Sequence, residues 1–238
     1  MNLEQRKRWN ENHKQLTGLI FAVDKHAQAI ELFLNQHALL HSSPMSPSGV
    51  TTLEDHLLDQ MAEHVFRTYP VKVPGTKNSI AWHLWHITRI EDMTMNVLLN
   101  DENQIFEIGD WKDKLQVNYI HTGNGMTEEE VADLSLNINY SALLAYRFEV
   151  GRRTREIVAS MLPGQFNQKV DPTRIKKLGD HGAVKQGESW LLDYWGSKRL
   201  GGLILMPATR HLFLHLNKAL RIKEKLQKKT MNGEGNIQ

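Results

Sequence analysis

The sequence predicts an all-α protein, and three observations carry that reading. Apolar residues return at three- and four-residue steps over long segments, the period of one helix face. Capping signatures open several of these segments, and proline or glycine closes them. No strand-like alternation is sustained anywhere in the 238 residues.

Near the N-terminus, Trp9, Leu16, Ile20, Val23, Ala27, Ile30 and Leu34 keep helical steps with no proline among them. They describe one long amphipathic helix, or two if Gly18 interrupts it. Turn chemistry from Ser42 to Gly49, including Pro44 and Pro47, ends the segment. Thr51 or Thr52 then caps a short helix whose first turn holds Glu54 and Asp55, where the helix dipole favours acids. Leu53, Leu57, Met61 and Val65 give it one stripe, and it stops before Pro70. After the Pro74-Gly75 turn, a helix starts near Asn78 or Ser79 and reaches about Asn100.

Residues 101–126 show little pattern beyond a helical turn around 111–117. Thr127-Glu128-Glu129-Glu130 is a capping box ahead of Val131, Leu134 and Ile138. The next helix covers 141–162 and stops at Pro163-Gly164. Residues 164–188, rich in Gly, Lys, Asp and Gln, read as an insertion or long loop. Trp190–Trp195 forms a short apolar helix. The last helix starts at Leu200 or Pro207 and ends near Lys228, with Pro207 as a first-turn residue or a kink. Residues 1–230 form one domain, followed by a polar tail, 231–238, expected to fray.

Composition narrows the chemistry. With 29 basic and 27 acidic side chains the net charge is +2, too balanced for a nucleic-acid binder. Arg147, Arg152, Arg153 and Arg155 read as a solvated helix face. There is no cysteine, which excludes disulfides, thiolate nucleophiles and cysteine-ligated zinc. No window suits a bilayer span, and the charged start has no apolar stretch behind it, so no membrane partner and a cytoplasmic location are expected.

Histidine stands out, at 12 residues. His211 and His215 lie four apart beside Leu212, Leu216 and Ala219, so both project from one helix face. His86 aligns with Ile90, Met93 and Val97 and faces inward, with His83 one turn earlier on a similar face. A metal or a hydrogen-bonding neighbour can satisfy such imidazoles. His37 and His41 form a rival pair that periodicity does not separate from His211 and His215. They fall near a helix C-terminus, where they can satisfy free carbonyls. Glu91 and Asp92 read as acceptors between helices or behind the ligands.

Two stretches, Ser79-Ile80-Ala81-Trp82-His83-Leu84-Trp85-His86-Ile87-Thr88-Arg89-Ile90-Glu91-Asp92 and Leu205-Met206-Pro207-Ala208-Thr209-Arg210-His211-Leu212-Phe213-Leu214-His215-Leu216-Asn217, resemble the DinB-like (damage-inducible) helical-bundle superfamily. Its pattern has one histidine on the second bundle helix with a Glu five residues on, here His86 and Glu91, and two histidines with three residues between them on the fourth, here His211 and His215. The resemblance implies an up-up-down-down four-helix bundle with extra N-terminal helix length and inserted loops. It also implies a divalent metal, nickel or zinc, on His86, His211 and His215, and so sets His83, His37 and His41 aside. Glu91, Asp92 and Arg210 become candidates for the surroundings of the ligands.

Family members tend to be homodimers, and those with known activities include transferases and isomerases using low-molecular-weight thiols; others are described as metal-dependent hydrolases. The expected function is activation of water or such a thiol against a small-molecule substrate. The alternative is a metal- or ligand-binding stress-response bundle without turnover.

Overall fold

The computed structural model describes residues 3–45 and 49–234, with side chains through Gln227. The N-terminal segment is two helices, α1 (Leu3–Leu19) and α2 (His26–Ala38). Gly18 lies inside α1; the break comes where Ala22 turns extended, at φ −87° and ψ 110°, ahead of a 3-10 turn. The stripe from Leu53 to Val65 is likewise divided into α3 (Leu53–Leu58) and α4 (Glu63–Arg67), with Gln60 at φ +49° between them. Thr52 caps α3 reciprocally with Asp55: its hydroxyl accepts Asp55 N–H, and the carboxylate accepts Thr52 N–H at 2.9 Å.

Helix α5 (Ile80–Asp92) starts under the Ser79 hydroxyl, which accepts Trp82 N–H at 3.0 Å. It widens into a π-helical continuation, Met93–Leu99. All of its residues from Ile80 to Leu99 are buried. The connection that follows carries α6 (Ile105–Ile108) and α7 (Trp111–Leu115). The expected capping box opens α8 (Glu128–Asn137), and Asn139 caps α9 (Tyr140–Ser160).

Residues 164–188 are more than a loop. Asp171 caps and Pro172 opens α10 (Pro172–Asp180), two start signals obscured by the polar composition of the segment. Next come α11 (Trp190–Gly196) and α12 (Leu200–Leu205), then a π turn, Met206–His211, leading directly into α13 (Leu212–Glu234). Pro207 thus sits inside a continuous helical segment, and the π turn absorbs its missing N–H. Thr209 Oγ1 donates back to this stretch, 3.0 Å from Ile204 O and 2.8 Å from Leu205 O. Helix α13 extends into the stretch expected to fray; residues 235–238 lie outside the described residues.

Among the described residues there is no strand, only the isolated bridges Val73–Thr76 and Lys169–Arg199. None of the described helices is long and apolar enough to cross a membrane.

The core is two apolar clusters. One gathers around Trp85 with Trp9, Leu40, Leu143, Tyr146 and Leu216. The other gathers around Trp195 with Leu16, Phe33, Met93, Ile157 and Leu203. Helices α1, α5 and α9 pass from the Trp85 cluster to the Trp195 cluster, while α2 and α12–α13 return. Helix α5 packs against α9 and α13, and α2 against α1 and α9. The expected up-up-down-down order is corrected here: α2, α5, α9 and α12–α13 run down, up, up, down. The reason is the 101–139 connection, whose Phe106, Leu115, Val131 and Ile138 return the chain along the Trp85 cluster before α9 begins.

Arg147 is not on a solvated face. It is fully buried, with Nε 2.6 Å from Glu54 Oε2 and Nη2 donating to Leu40 O at 2.7 Å. This one guanidinium therefore ties α9 to α3 and to the chain just after α2. Arg152 and Arg153 do lie at the surface, paired with Glu149, Glu156 and Glu102. Removing one partner of a buried pair strands the other charge away from water. Glu54→Ala should therefore lower unfolding stability by about 3–5 kcal/mol, whereas Glu149→Ala at the surface should cost under about 1 kcal/mol; urea titrations of the two variants provide the comparison.

Candidate metal centre

Each helix that crosses between the clusters carries polar side chains at the crossing: His13 on α1, His37 on α2, His86 and Glu91 on α5, Thr154 on α9, and Thr209 and His211 ahead of α13. Within this layer the three expected ligands meet. His86 Nε2 stands 3.1 Å from His211 Nε2. The ring centroids of His211 and His215 are 4.4 Å apart, and those of His86 and His215 4.8 Å. One nitrogen from each ring lies within 4.8 Å of the other two.

This donor set fits a divalent ion. Bonds of roughly 2.0–2.1 Å in a tetrahedral shell put neighbouring nitrogens about 3.3 Å apart, close to the His86–His211 separation. His86 is also prepared for the role. Its Nδ1–H donates to the Thr122 carbonyl at 2.7 Å, and a carbonyl can only accept, so the neutral ring presents its lone pair on Nε2. Trp82 holds the ring from the side, stacked 4.5 Å away and tilted by 12°. His211 Nδ1 is buried without a partner, so without an ion His211 donates from Nε2 to the His86 lone pair, and its proton shifts to Nδ1 when an ion takes Nε2.

His83, set aside by the sequence motif, belongs to the same group. Its Nδ1 faces His215 Nδ1 at 2.9 Å, and its Nε2 lies 3.1 Å from Thr76 Oγ1. Of the two facing Nδ1 atoms, one must carry the proton. When His215 carries it, His215 Nε2 is free for an ion, and His83 accepts on Nδ1 while donating from Nε2 to the Thr76 hydroxyl. The signal was present in sequence: His83 precedes His86 by three residues, on the same side of one helix.

The other expected site residues have different neighbours. Glu91 faces His37 and His41, which are themselves fully buried and do not satisfy carbonyls at the end of α2. Asp92 accepts Ile105 N–H and Phe106 N–H, each at 2.9 Å, and Tyr146 O–H at 2.6 Å. Arg89 donates to Gln104 Oε1 at 2.7 Å and to Ile120 O at 2.6 Å. Together Arg89 and Asp92 pin the connection that delivers the Thr122 carbonyl to His86. Arg210 donates to Asn10 and lies over the Trp9 and Phe213 rings, so it braces α1 and has no hydrogen bond to the triad.

His86 and His211 open onto a cavity of about 290 Å³. Ile90, Trp190, Trp195, Met206 and Pro207 form its apolar walls, and Asn124 contributes an amide whose Oδ1 is buried without a partner. The connection after α5 thus contributes Asn124 to the lining. Helix α11, just beyond the 164–188 insertion, contributes Trp190, Leu191, Tyr194 and Trp195.

Burial keeps these rings neutral. Desolvation pushes His86 down to about 4, and desolvation with the neighbouring His86 pushes His83 down to about 3. His211 and His215 are lowered by the same causes. A neutral imidazole is the form that binds a metal.

His83→Ala should weaken nickel or zinc binding about 10–100-fold, read by titration calorimetry, while His86→Ala should abolish binding at this site. A second expectation concerns pH. An unfolded histidine titrates near 6.5, well above folded His86. Between those values the unfolded chain binds more protons, so stability is complete above about 6.5 and falls as pH drops towards 4; the urea midpoint of metal-free protein should decrease steadily from pH 7 to pH 5. Neither a protein-family model nor a curated protein significantly matches this sequence.

Proposed function

We propose that this chain is a metal-dependent enzyme of the DinB-like helical-bundle type, with His86, His211 and His215 holding a nickel or zinc ion. The observation that supports this most is the meeting of three neutral imidazoles, two of which, His86 and His211, line an apolar cavity. Imidazole donors suit borderline ions such as these. When bound, such an ion supplies Lewis acidity that makes a nucleophile of water or a thiol near neutral pH.

The protein's own residues shape the rest of the proposal. The cavity walls favour a small substrate with an apolar or aromatic body. Asn124 offers a hydrogen bond to a polar group on that substrate. Among the described residues no carboxylate lines the cavity, and Tyr194 is the one that brings a hydroxyl. Hydrolysis commonly needs a group to shuttle protons to the leaving atom. A thiolate attacking an electrophilic carbon needs no general base once it is ionised. The lining therefore favours transfer of a low-molecular-weight thiol over ester or amide hydrolysis. The same lack of a proton shuttle favours, as the second reading, a ligand-binding protein without turnover.

The deciding experiment assays metal-loaded protein with a low-molecular-weight thiol and an aromatic electrophile, and in parallel with activated esters. Thiol transfer should appear, vanish in His211→Ala, and persist in Tyr194→Phe. Ester cleavage lost in Tyr194→Phe would instead establish the hydrolase. Saturable ligand binding with no product in either assay would establish the binding protein.

A further inference from the structure

A second group of ligand-type side chains lies in the same polar layer. His37 and His41, one turn apart at the end of α2, meet Glu91 of α5, and all three are wholly inaccessible to solvent. His37 Nε2 is 2.7 Å from Glu91 Oε1, and His41 Nε2 is 3.3 Å from Glu91 Oε2. The two imidazoles lie 4.3 Å apart, and one ligand atom from each of the three residues falls within 4.8 Å of the others.

The hydrogen bonds here are incomplete. His37 bonds Oε1, but His41 Nε2 stands 3.3 Å from Glu91 Oε2, too long and poorly aligned for a full hydrogen bond, and neither atom has another partner among the described residues. His41 Nδ1 and His37 Nδ1 are also buried and unpartnered. Buried polar atoms are nearly always paired, so such a concentration of orphans points to a missing partner. Charge gives the same indication. Arg147, the nearest buried cation to His41, is already paired with Glu54, and Arg155, the other cation facing His37, donates to Leu34 O. Glu91 is left as a buried carboxylate facing two rings that burial keeps neutral.

The backbone makes room for this group. A Cβ on Gly151 of α9 would stand 2.6 Å from both Cε1 and Nδ1 of His41. Only glycine lets that ring lie against the helix.

We propose that His37, His41 and Glu91 form a second, structural divalent-metal site, suited to zinc and separate from the His86 triad. Two imidazole nitrogens and the two oxygens of one carboxylate supply four donors without water, in a shell distorted from tetrahedral because both oxygens hang on one carbon. That matches a site with no route to solvent. Around one ion, donors from different residues sit about 3.3 Å apart. The His41–Glu91 separation already has this value, and the His37–Glu91 separation needs to open by about half an ångström as the His37 proton passes from Nε2 to the unpartnered Nδ1. The ion would neutralise Glu91 and fasten α2 to α5.

The test is elemental analysis of untagged protein refolded with zinc, together with X-ray absorption at the zinc edge. The wild type should hold two ions per chain. His86→Ala/His211→Ala/His215→Ala should keep one, with an absorption spectrum of imidazole nitrogen and carboxylate oxygen. Glu91→Gln should also keep one, in an all-nitrogen protein shell. A triple variant that is folded by circular dichroism yet holds no zinc would overturn the proposal and leave the triad standing. Retention of one ion in the triple variant and none in folded Glu91→Gln would support this site and remove the triad. Should Glu91→Gln fail to fold, the absorption spectrum of the triple variant decides alone: carboxylate oxygen in the shell supports the site, and its absence overturns it.

Discussion

An imidazole taken out of water still has two nitrogens that need partners. This protein buries several imidazoles at one level, between the Trp85 and Trp195 clusters, and much of its irregular structure serves them. Thr122 reaches His86 because Arg89 and Asp92 fold the connection after α5 back against the helix. Thr76 reaches His83 from the turn before α5. His13 lies 3.0 Å from Leu205 O and 3.1 Å from Thr209 Oγ1, where the π turn rearranges the backbone bonds. A glycine on α9 clears the space beside His41.

The two candidate centres divide the layer by accessibility. His86 and His211 line a cavity and meet His215 behind it, and the charges acting on the triad are other imidazoles, outlying cations such as Lys218 and, weakly on His211, Glu91. His37, His41 and Glu91 are sealed, and they include a carboxylate. Three neutral donors beside a cavity leave an ion charged and reachable, which suits chemistry. Two neutral donors and a carboxylate in a closed space cancel charge and bind helices together. Glu91, only five residues from His86 on α5, therefore serves the sealed group; the triad keeps no carboxylate of its own.

Much of the helical order was legible because local rules govern it. The Thr127–Glu130 capping box, the Ser79 start of α5 and the Pro163-Gly164 stop are properties of a few adjacent residues. The division at Gln60 escaped, and the one allowed at Gly18 falls instead at Ala22, because the apolar spacing runs on through both breaks. Helix α10 escaped for the opposite reason: its capping signals are sound but its composition resembles a loop. The order of helix directions escaped as well, since it depends on where the 101–139 connection lays its apolar residues.

The sequence by itself determined an all-α chain without thiols, and it placed His86, His211 and His215 on helices with the spacing to face inward. Only the tertiary structure decided what faced them. It set His83 against His215, turned Glu91 from the triad to His37 and His41, and sent Arg210 to α1. The physical reason is range. Caps, periods and breaks are fixed by neighbours within a turn or two, whereas the partner of a buried polar atom is whichever residue another helix brings within about 3 Å.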